Sequence, residues 1–342
     1  MTTSSLSQTK TYSFWYRYKR YIIPSALVLI LLVAIAIFYR LNPAVTQAVL
    51  ASTIRQSTPL ILGALCGILC ERSGIVNIGI EGQMLMSAWT AYMVNVWTGN
   101  LFLAAIVGML TGALLGLLLA FTSVTLKLNQ IIGGTVINIL ALGLTGFLYQ
   151  TGLTTKGKIN PLPLGSLAKI PLIGPVLFNN PPITYTAIIL VFILWVFLFK
   201  TPWGLRSRAV GEHPRAADTL GINVFKTRYL NVIVGGAIAG LAGAFLTLEA
   251  VGSFERNMTN GRGFVALAVM IFGKWNPIGA WLAALLFGFA NAMQTQFQFM
   301  GTFNIPHQFI GMLPYLLTII VVSGFVGRSR PPAAEGEPYE KE

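Results

Sequence analysis

The chain has 342 residues, of which 55% are hydrophobic and only 10% charged, and its formal net charge is +13. Soluble domains carry about 25% charged residues, so this composition excludes a soluble fold and indicates an all-α, polytopic membrane protein. The basic residues are spread between apolar runs rather than gathered in one patch. That excludes a nucleic-acid partner and fits the enrichment of Lys and Arg on the inner side of a membrane.

Residues 1–21 are polar and basic, with Lys10, Arg17, Lys19 and Arg20 just before an apolar run at 22–39. That run is long enough to span. Ala34-Ile35-Ala36 mimics a signal-peptide cleavage site but lies inside the run, so the helix is read as retained and the N-terminus as cytosolic. A short apolar run at 59–70 stops at Glu71-Arg72-Ser73-Gly74, and Asn77, Glu81 and Gln83 follow, with Gly74, Gly79 and Gly82 interleaved. A Gly-interrupted membrane segment is the sequence pointer to a transport path. The two cysteines, Cys66 and Cys70, lie one helical turn apart in this run and read as small packing residues.

Spans are predicted at 84–97, 102–126 and 131–149. Gly108, Gly112 and Gly116 recur at the spacing that lets helix backbones approach closely. Residues 151–182 hold Pro161, Pro163, Pro171, Pro175, Pro181 and Pro182, which excludes a long helix and makes this the external loop. A span at 183–199 leads to a charged cytosolic loop at 200–228. Further spans are predicted at 229–248, with Gly236 and Gly240 again at close-packing spacing, then 263–272, 278–297 and 309–325. The total is about ten spans, some of them broken, within a membrane domain at 22–327. The tail, 328–342, is Pro-rich and acidic and reads as a disordered cytosolic segment. Glu71-Arg72 and Glu255-Arg256 follow oppositely directed spans, and the pair reads either as an inverted repeat or as a chance match.

The charged stretch at 203–228 contains a short helix signal. Pro214 suits a first turn, Ala216, Ala217 and Leu220 form an apolar strip, and Gly221 suits the C-terminal stop. Such a short helix is unstable alone in water and must dock, either on the membrane surface or on a cytosolic partner. The stretch WGLRSRAVGEHPRAADTLGI resembles the coupling loop of bacterial ABC-importer permeases. ERSGIVNIGIEGQMLM (71–86) and NMTNGRGFVALAVMIFGKWNPIGA (257–280) resemble the same family, in the branch of ribose-type sugar, branched-chain amino acid and nucleoside permeases. The resemblance covers about residues 55–328 and points most closely to nucleoside or simple-sugar permeases served by a basic-membrane-protein type binding lipoprotein.

The resemblance implies a bacterial cell-membrane subunit that moves a small-molecule solute by alternating access. Its implied partners are a cytosolic ABC ATPase carrying ATP and Mg, a second homologous permease subunit, the binding lipoprotein and membrane lipid. No cofactor is expected in this chain. Coupling to the ATPase is expected at Glu212, His213, Pro214, Arg215, Ala216, Ala217, Asp218 and Gly221. Lys156, Lys158, Lys169, Arg256 and Arg262 are expected to dock the binding protein through charge.

The chain has ten acidic residues, and Glu71, Glu81, Glu249 and Glu255 lie in or beside the membrane. Such residues are functional candidates. Glu71 and Glu255 read equally well as ion-pair partners. Asn77, Glu81, Gln83, Phe254, Glu255 and Asn257 are read as the substrate path, because amides, a carboxylate and an aromatic ring suit a neutral, hydrogen-bonding solute. Gly273-Lys274 is followed by Trp275, so no phosphate-binding loop is present, and two histidines in separate segments make no metal cluster. Nucleoside import is the first reading and simple-sugar import the second. A polytopic membrane transferase would need a catalytic carboxylate or His constellation, and an ion-coupled carrier would have no use for a cytosolic docking helix.

Overall fold

A computed structural model describes residues 35–300 and 330–341, together with positions 33, 312 and 316. The expected cytosolic N-terminal segment, most of the first span and most of the last span lie outside the described residues. The described chain is helical apart from two short strands, β1 (Leu162–Pro163) and β2 (Asn179–Asn180), which pair antiparallel. The long helices are α1 (Pro43–Glu71), α2 (Ile80–Thr98), α3 (Leu101–Ala120) and α4 (Gln130–Phe147). A short α5 (Ile173–Leu177) lies in the Pro-rich loop and α6 (Pro182–Lys200) follows. Two short helices, α7 (Pro202–Glu212) and α8 (Pro214–Thr219), precede α9 (Val224–Ala244), α10 (Arg262–Phe272) and α11 (Pro277–Met300). π-helical turns extend α3 over Phe121–Thr125 and α9 over Phe245–Val251.

Six of these helices are long and apolar enough to cross a membrane, counting α3 and α9 with their π-turns. The helices differ in what surrounds them. The α1 span is 89% buried inside the protein at mean hydropathy 1.3, whereas the α3 span is 28% buried at 2.4. A helix enclosed by protein can carry polar groups, provided its neighbours satisfy them. A lipid-facing helix cannot, because hydrocarbon offers no hydrogen bonds.

The first departure from the sequence reading concerns α1. The second span is no short run at 59–70 but the last part of a 29-residue helix beginning at Pro43. Polar residues at 46–58 hide its first half. The hydroxyls fold back onto the helix: Thr53 Oγ1 donates to the Val49 carbonyl, and Ser57 Oγ and Thr58 Oγ1 both donate to Ile54. Pro59 lies in the interior of the same helix.

The centre of the bundle is the crossing of α3 with α9. A Cβ added at Gly112 would lie 2.2 Å from the Gly236 carbonyl oxygen and 2.6 Å from the Gly240 Cα. The two glycine stripes expected from the sequence therefore face each other, and the backbones touch where any side chain would hold them apart.

One end of the bundle carries α7, α8, Lys127, Arg228 and Lys274 and is called the basic end below. A second departure is found here. The tail is not a disordered segment over residues 330–341, which lie against the basic end. The Ala334 N–H donates to the Gly211 carbonyl at 2.9 Å and the Gly336 N–H to Gly74 at 3.2 Å, and Tyr339 is buried. Composition misses this because the contacts are supplied by residues far away in the chain.

Candidate coupling and permeation sites

The charged stretch expected to be the coupling loop forms two helices. Thr201 accepts a hydrogen bond from the Gly204 N–H at the start of α7, and Pro202 and Pro214 occupy first-turn positions of α7 and α8. α8 ends as expected: Gly221 has φ +79°, and the Leu220 and Ile222 N–H groups both donate to Ala217. The apolar strip does not point one way. Ala217 is 2% exposed and packs with Val210, Val224 and Tyr339 of the same chain, while Leu220 is 81% exposed and Ala216 is exposed. The outward face is therefore formed by Glu212, His213, Arg215, Ala216 and Leu220, all exposed, with Pro214 half-buried beside them. Ala217 anchors α8 from behind. Asp218 is half-buried and lies 3.9 Å from Lys341.

At the break between α1 and α2 the chain turns through Gly74, whose φ is +87°. A Cβ there would meet Arg228 Nη2 at 2.9 Å and the Ala334 carbonyl at 3.1 Å, so both the conformation and the space require glycine. Arg228 is 1% exposed. Its Nε donates to Ser73 and its Nη1 to Glu337, so one buried guanidinium ties the α1–α2 turn to α9 and to the tail. Sequence reading assigned Arg228 only to the charged loop. Glu71 accepts from Trp275 Nε1 at 2.5 Å, not from a basic side chain. In the tail, burial pushes the Glu335 carboxyl above its usual range, and a hydrogen bond from Lys127 holds that of Glu340 below it.

The six residues read as substrate path are not brought together around one cavity. Asn77 and Gln83 are fully buried side by side, Asn77 Nδ2 donating to Gln83 Oε1 at 3.2 Å and to the Cys66 sulfur at 3.4 Å. Asn77 Oδ1 and Gln83 Nε2 have no partner among the described residues. Phe254 is buried against Tyr92 and Tyr149, while Glu255 and Asn257 are exposed. Glu81 has a definite task. Its Oε1 accepts from the Gly261 N–H at 2.8 Å and its Oε2 from the Gly263 N–H at 2.6 Å, so it caps the free N-terminus of α10. A carboxylate at a helix N-terminus also opposes the helix dipole favourably.

Glu249 makes the same arrangement elsewhere. It accepts from the Ile183 N–H at 2.9 Å, the Thr184 N–H at 3.2 Å and the Thr184 hydroxyl at 2.5 Å, capping α6. Sequence reading counted Glu249 among the membrane acids and gave it no role. It borders a cavity of about 460 Å³ at the end of the bundle opposite the basic end. Arg55 and Gln56 of α1, Lys158 and Asn160 of the Pro-rich loop, residues of the π-turn at 245–251 and Arg262 are among those that line it. That volume is in the range of small-molecule pockets, about 300–1,000 Å³.

The expected outer docking cations divide. Lys156, Lys158, Lys169 and Arg256 are exposed. Lys158 Nζ donates to the Ala250 carbonyl, and Arg256 lies 5.1 Å over the Tyr149 ring. Arg262 is half-buried, with Nη1 donating to Met258 at 2.8 Å, and forms part of the cavity wall rather than a rim. Among the described residues no cluster of His, Cys, Asp or Glu has the makings of a metal site.

The sequence profile for the branched-chain amino acid transport system permease component matches residues 49–322. The chain is 40% identical over 314 residues to the guanosine ABC transporter permease protein NupQ of Bacillus subtilis (strain 168), covering 87% of this chain and 98% of that relative. It is 40% identical over 311 residues to the nucleoside ABC transporter permease protein NupC of Lactococcus lactis subsp. cremoris (strain MG1363), covering 86% and 97%. It is 36% identical over 302 residues to the putative glucose ABC transporter permease protein TsgC13 of Haloferax volcanii, covering 82% and 92%. No solved structure matches the chain.

Proposed function

The chain belongs to the branched-chain amino acid transport system permease family, as a multi-pass membrane subunit of an ABC transporter, and from that premise we propose that it is the permease of a nucleoside importer. The observation that carries the substrate class is the 40% identity, over nearly the whole chain, to permeases named for guanosine and for nucleosides. The basic end faces the cytosol, by the bias of Lys and Arg toward that side. There the exposed face of α7–α8 meets the partner ATPase, which hydrolyses ATP with Mg. A second permease subunit completes the membrane unit, and a binding lipoprotein delivers solute to the opposite, outward-facing end, where Lys156, Lys158, Lys169 and Arg256 steer it.

Solute enters through the cavity between α1 and the π-turn. Its walls offer amide, carboxylate and cationic groups around open space, as a neutral, hydrogen-bonding solute requires. Arg262, at the start of α10, forms the wall of this cavity on the side of Glu81, which stays sealed as the cap of that helix. The buried amides of Asn77 and Gln83 lie beyond it in a closed state. Simple sugar is the second reading, supported by the 36% identity to the putative glucose permease.

Uptake of labelled guanosine and labelled glucose into cells carrying or lacking this chain separates the two. The nucleoside reading expects guanosine uptake to be lost with the chain, with glucose uptake unchanged. Loss of glucose uptake alone would replace it with the sugar reading.

A further inference from the structure

Residues 333–340 touch five separate places at the basic end within a single short stretch. The Ala333 N–H donates to a Glu212 carboxylate oxygen at 3.2 Å and the Ala334 N–H to Gly211, both at the end of α7. The Gly336 N–H donates to Gly74 in the α1–α2 turn, and the Glu337 carbonyl accepts from Arg228 of α9. The Tyr339 ring lies 5.5 Å from the Phe225 ring and packs in the small apolar cluster that also holds Ala217 of α8. Glu340 pairs with Lys127, just beyond α3, at 2.8 Å. The outer face of α8, with Leu220 81% exposed, is left uncovered.

Two of the touched elements have their other ends at the cavity. α1 runs from Arg55 and Gln56 in the cavity wall to the turn at Gly74, and α9 runs from Arg228 to the π-turn that forms another wall. A helix rises about 1.5 Å per residue, so α1 links residue 71 to residue 55 over about 24 Å. α8 has six residues and would not resist a push unaided. We propose that residues 333–340 are a transmission strap, which backs α7–α8 and fastens them to α1 and α9 so that force applied to the exposed face of α8 reaches the cavity walls. This rests on the reading of α7–α8 as the ATPase contact and adds the group of residues that positions it.

The test uses the complete transporter, with its ATPase and binding protein, in proteoliposomes. A chain ending at Arg330 is compared with the full chain for assembled complex, ATP hydrolysis and solute moved per ATP. Loss of the strap is expected to leave assembly and ATP hydrolysis within about twofold while solute moved per ATP falls at least about fivefold, the low end of measured coupling between sites. Tyr339→Ala should reproduce part of this loss. A ratio unchanged by truncation overturns the strap. So does a parallel fall of hydrolysis and uptake with the amount of complex, which would mean a merely structural contact, and so does a rise in both, which would make the segment a brake. The ratio is measured with whichever solute the full chain carries. Absence of guanosine uptake by the full chain refutes the nucleoside reading without touching the strap.

Discussion

Glu81 and Glu249 do the same work at two helix starts, in different surroundings. Each is a buried carboxylate reaching from one element to the N-terminus of another, and each accepts two backbone N–H groups there. Glu81 is enclosed: a Cβ added at Gly263 would lie 2.5 Å from its backbone and 2.8 Å from its carboxylate. Glu249 borders the open cavity and also binds the Thr184 hydroxyl. The difference separates structure from transport. A capping carboxylate in a sealed site holds the fold, whereas one at a cavity wall can hold a helix and meet solute as well. An intramembrane acid is a functional candidate, but its surroundings decide what the function is.

The largest expected effect is that of Glu81→Leu. It leaves the Gly261 and Gly263 N–H groups buried and unpaired at about 1–3 kcal/mol each. Membrane abundance, read by immunoblot and by detergent-extracted monodisperse protein, should fall severely. Abundance equal to wild type, with transport alone lost, would move Glu81 to the solute path.

Glu249→Leu should also lower abundance, because the Ile183 and Thr184 N–H groups it leaves unpaired are buried, but in addition it should remove most uptake per folded molecule. A fall in uptake that merely follows abundance would make the two carboxylates equivalent. The amide variants sharpen the contrast on a smaller scale. Gln keeps one acceptor oxygen and places an NH₂ against the second N–H, so Glu81→Gln should destabilise by about 1–3 kcal/mol. Glu249→Gln also sets an NH₂ against the Ile183 or the Thr184 N–H, but the Thr184 hydroxyl can turn to accept from the new amide, so its loss should be smaller. Arg55→Gln should have the smallest effect: Arg55 is exposed, so abundance is unchanged and only the concentration dependence of uptake shifts.

Much of this was readable in advance. The all-α membrane class, the two glycine stripes and the Pro214 start and Gly221 stop of α8 follow from local rules of length, spacing and backbone conformation. What was missed is non-local. The first half of α1 was hidden because its polar residues lower the hydropathy, and their hydroxyls are satisfied by carbonyls of the same helix. Ala217 was read as facing a partner because helical periodicity defines a strip but not what covers it, and the chain's own Val210, Val224 and Tyr339 do so. Glu81 was rightly singled out as an intramembrane acid, yet its link to Gly261 and Gly263 spans about 180 positions, beyond any local pattern. The tail was read from composition alone, which has no means of anticipating Gly74 and Arg228 as its supports.

The account places the mouth of the solute path at the cavity and not at the amide pair of the break. Single cysteines at Gln56 and at Gln83, in a chain whose Cys66 and Cys70 are replaced by alanine, test this directly with a membrane-impermeant maleimide applied from outside. The account predicts that Gln56→Cys is labelled quickly and is protected when guanosine and binding protein are present, while Gln83→Cys stays unlabelled in the resting transporter. Rapid, guanosine-protected labelling at Gln83→Cys, with Gln56→Cys inert, would contradict it.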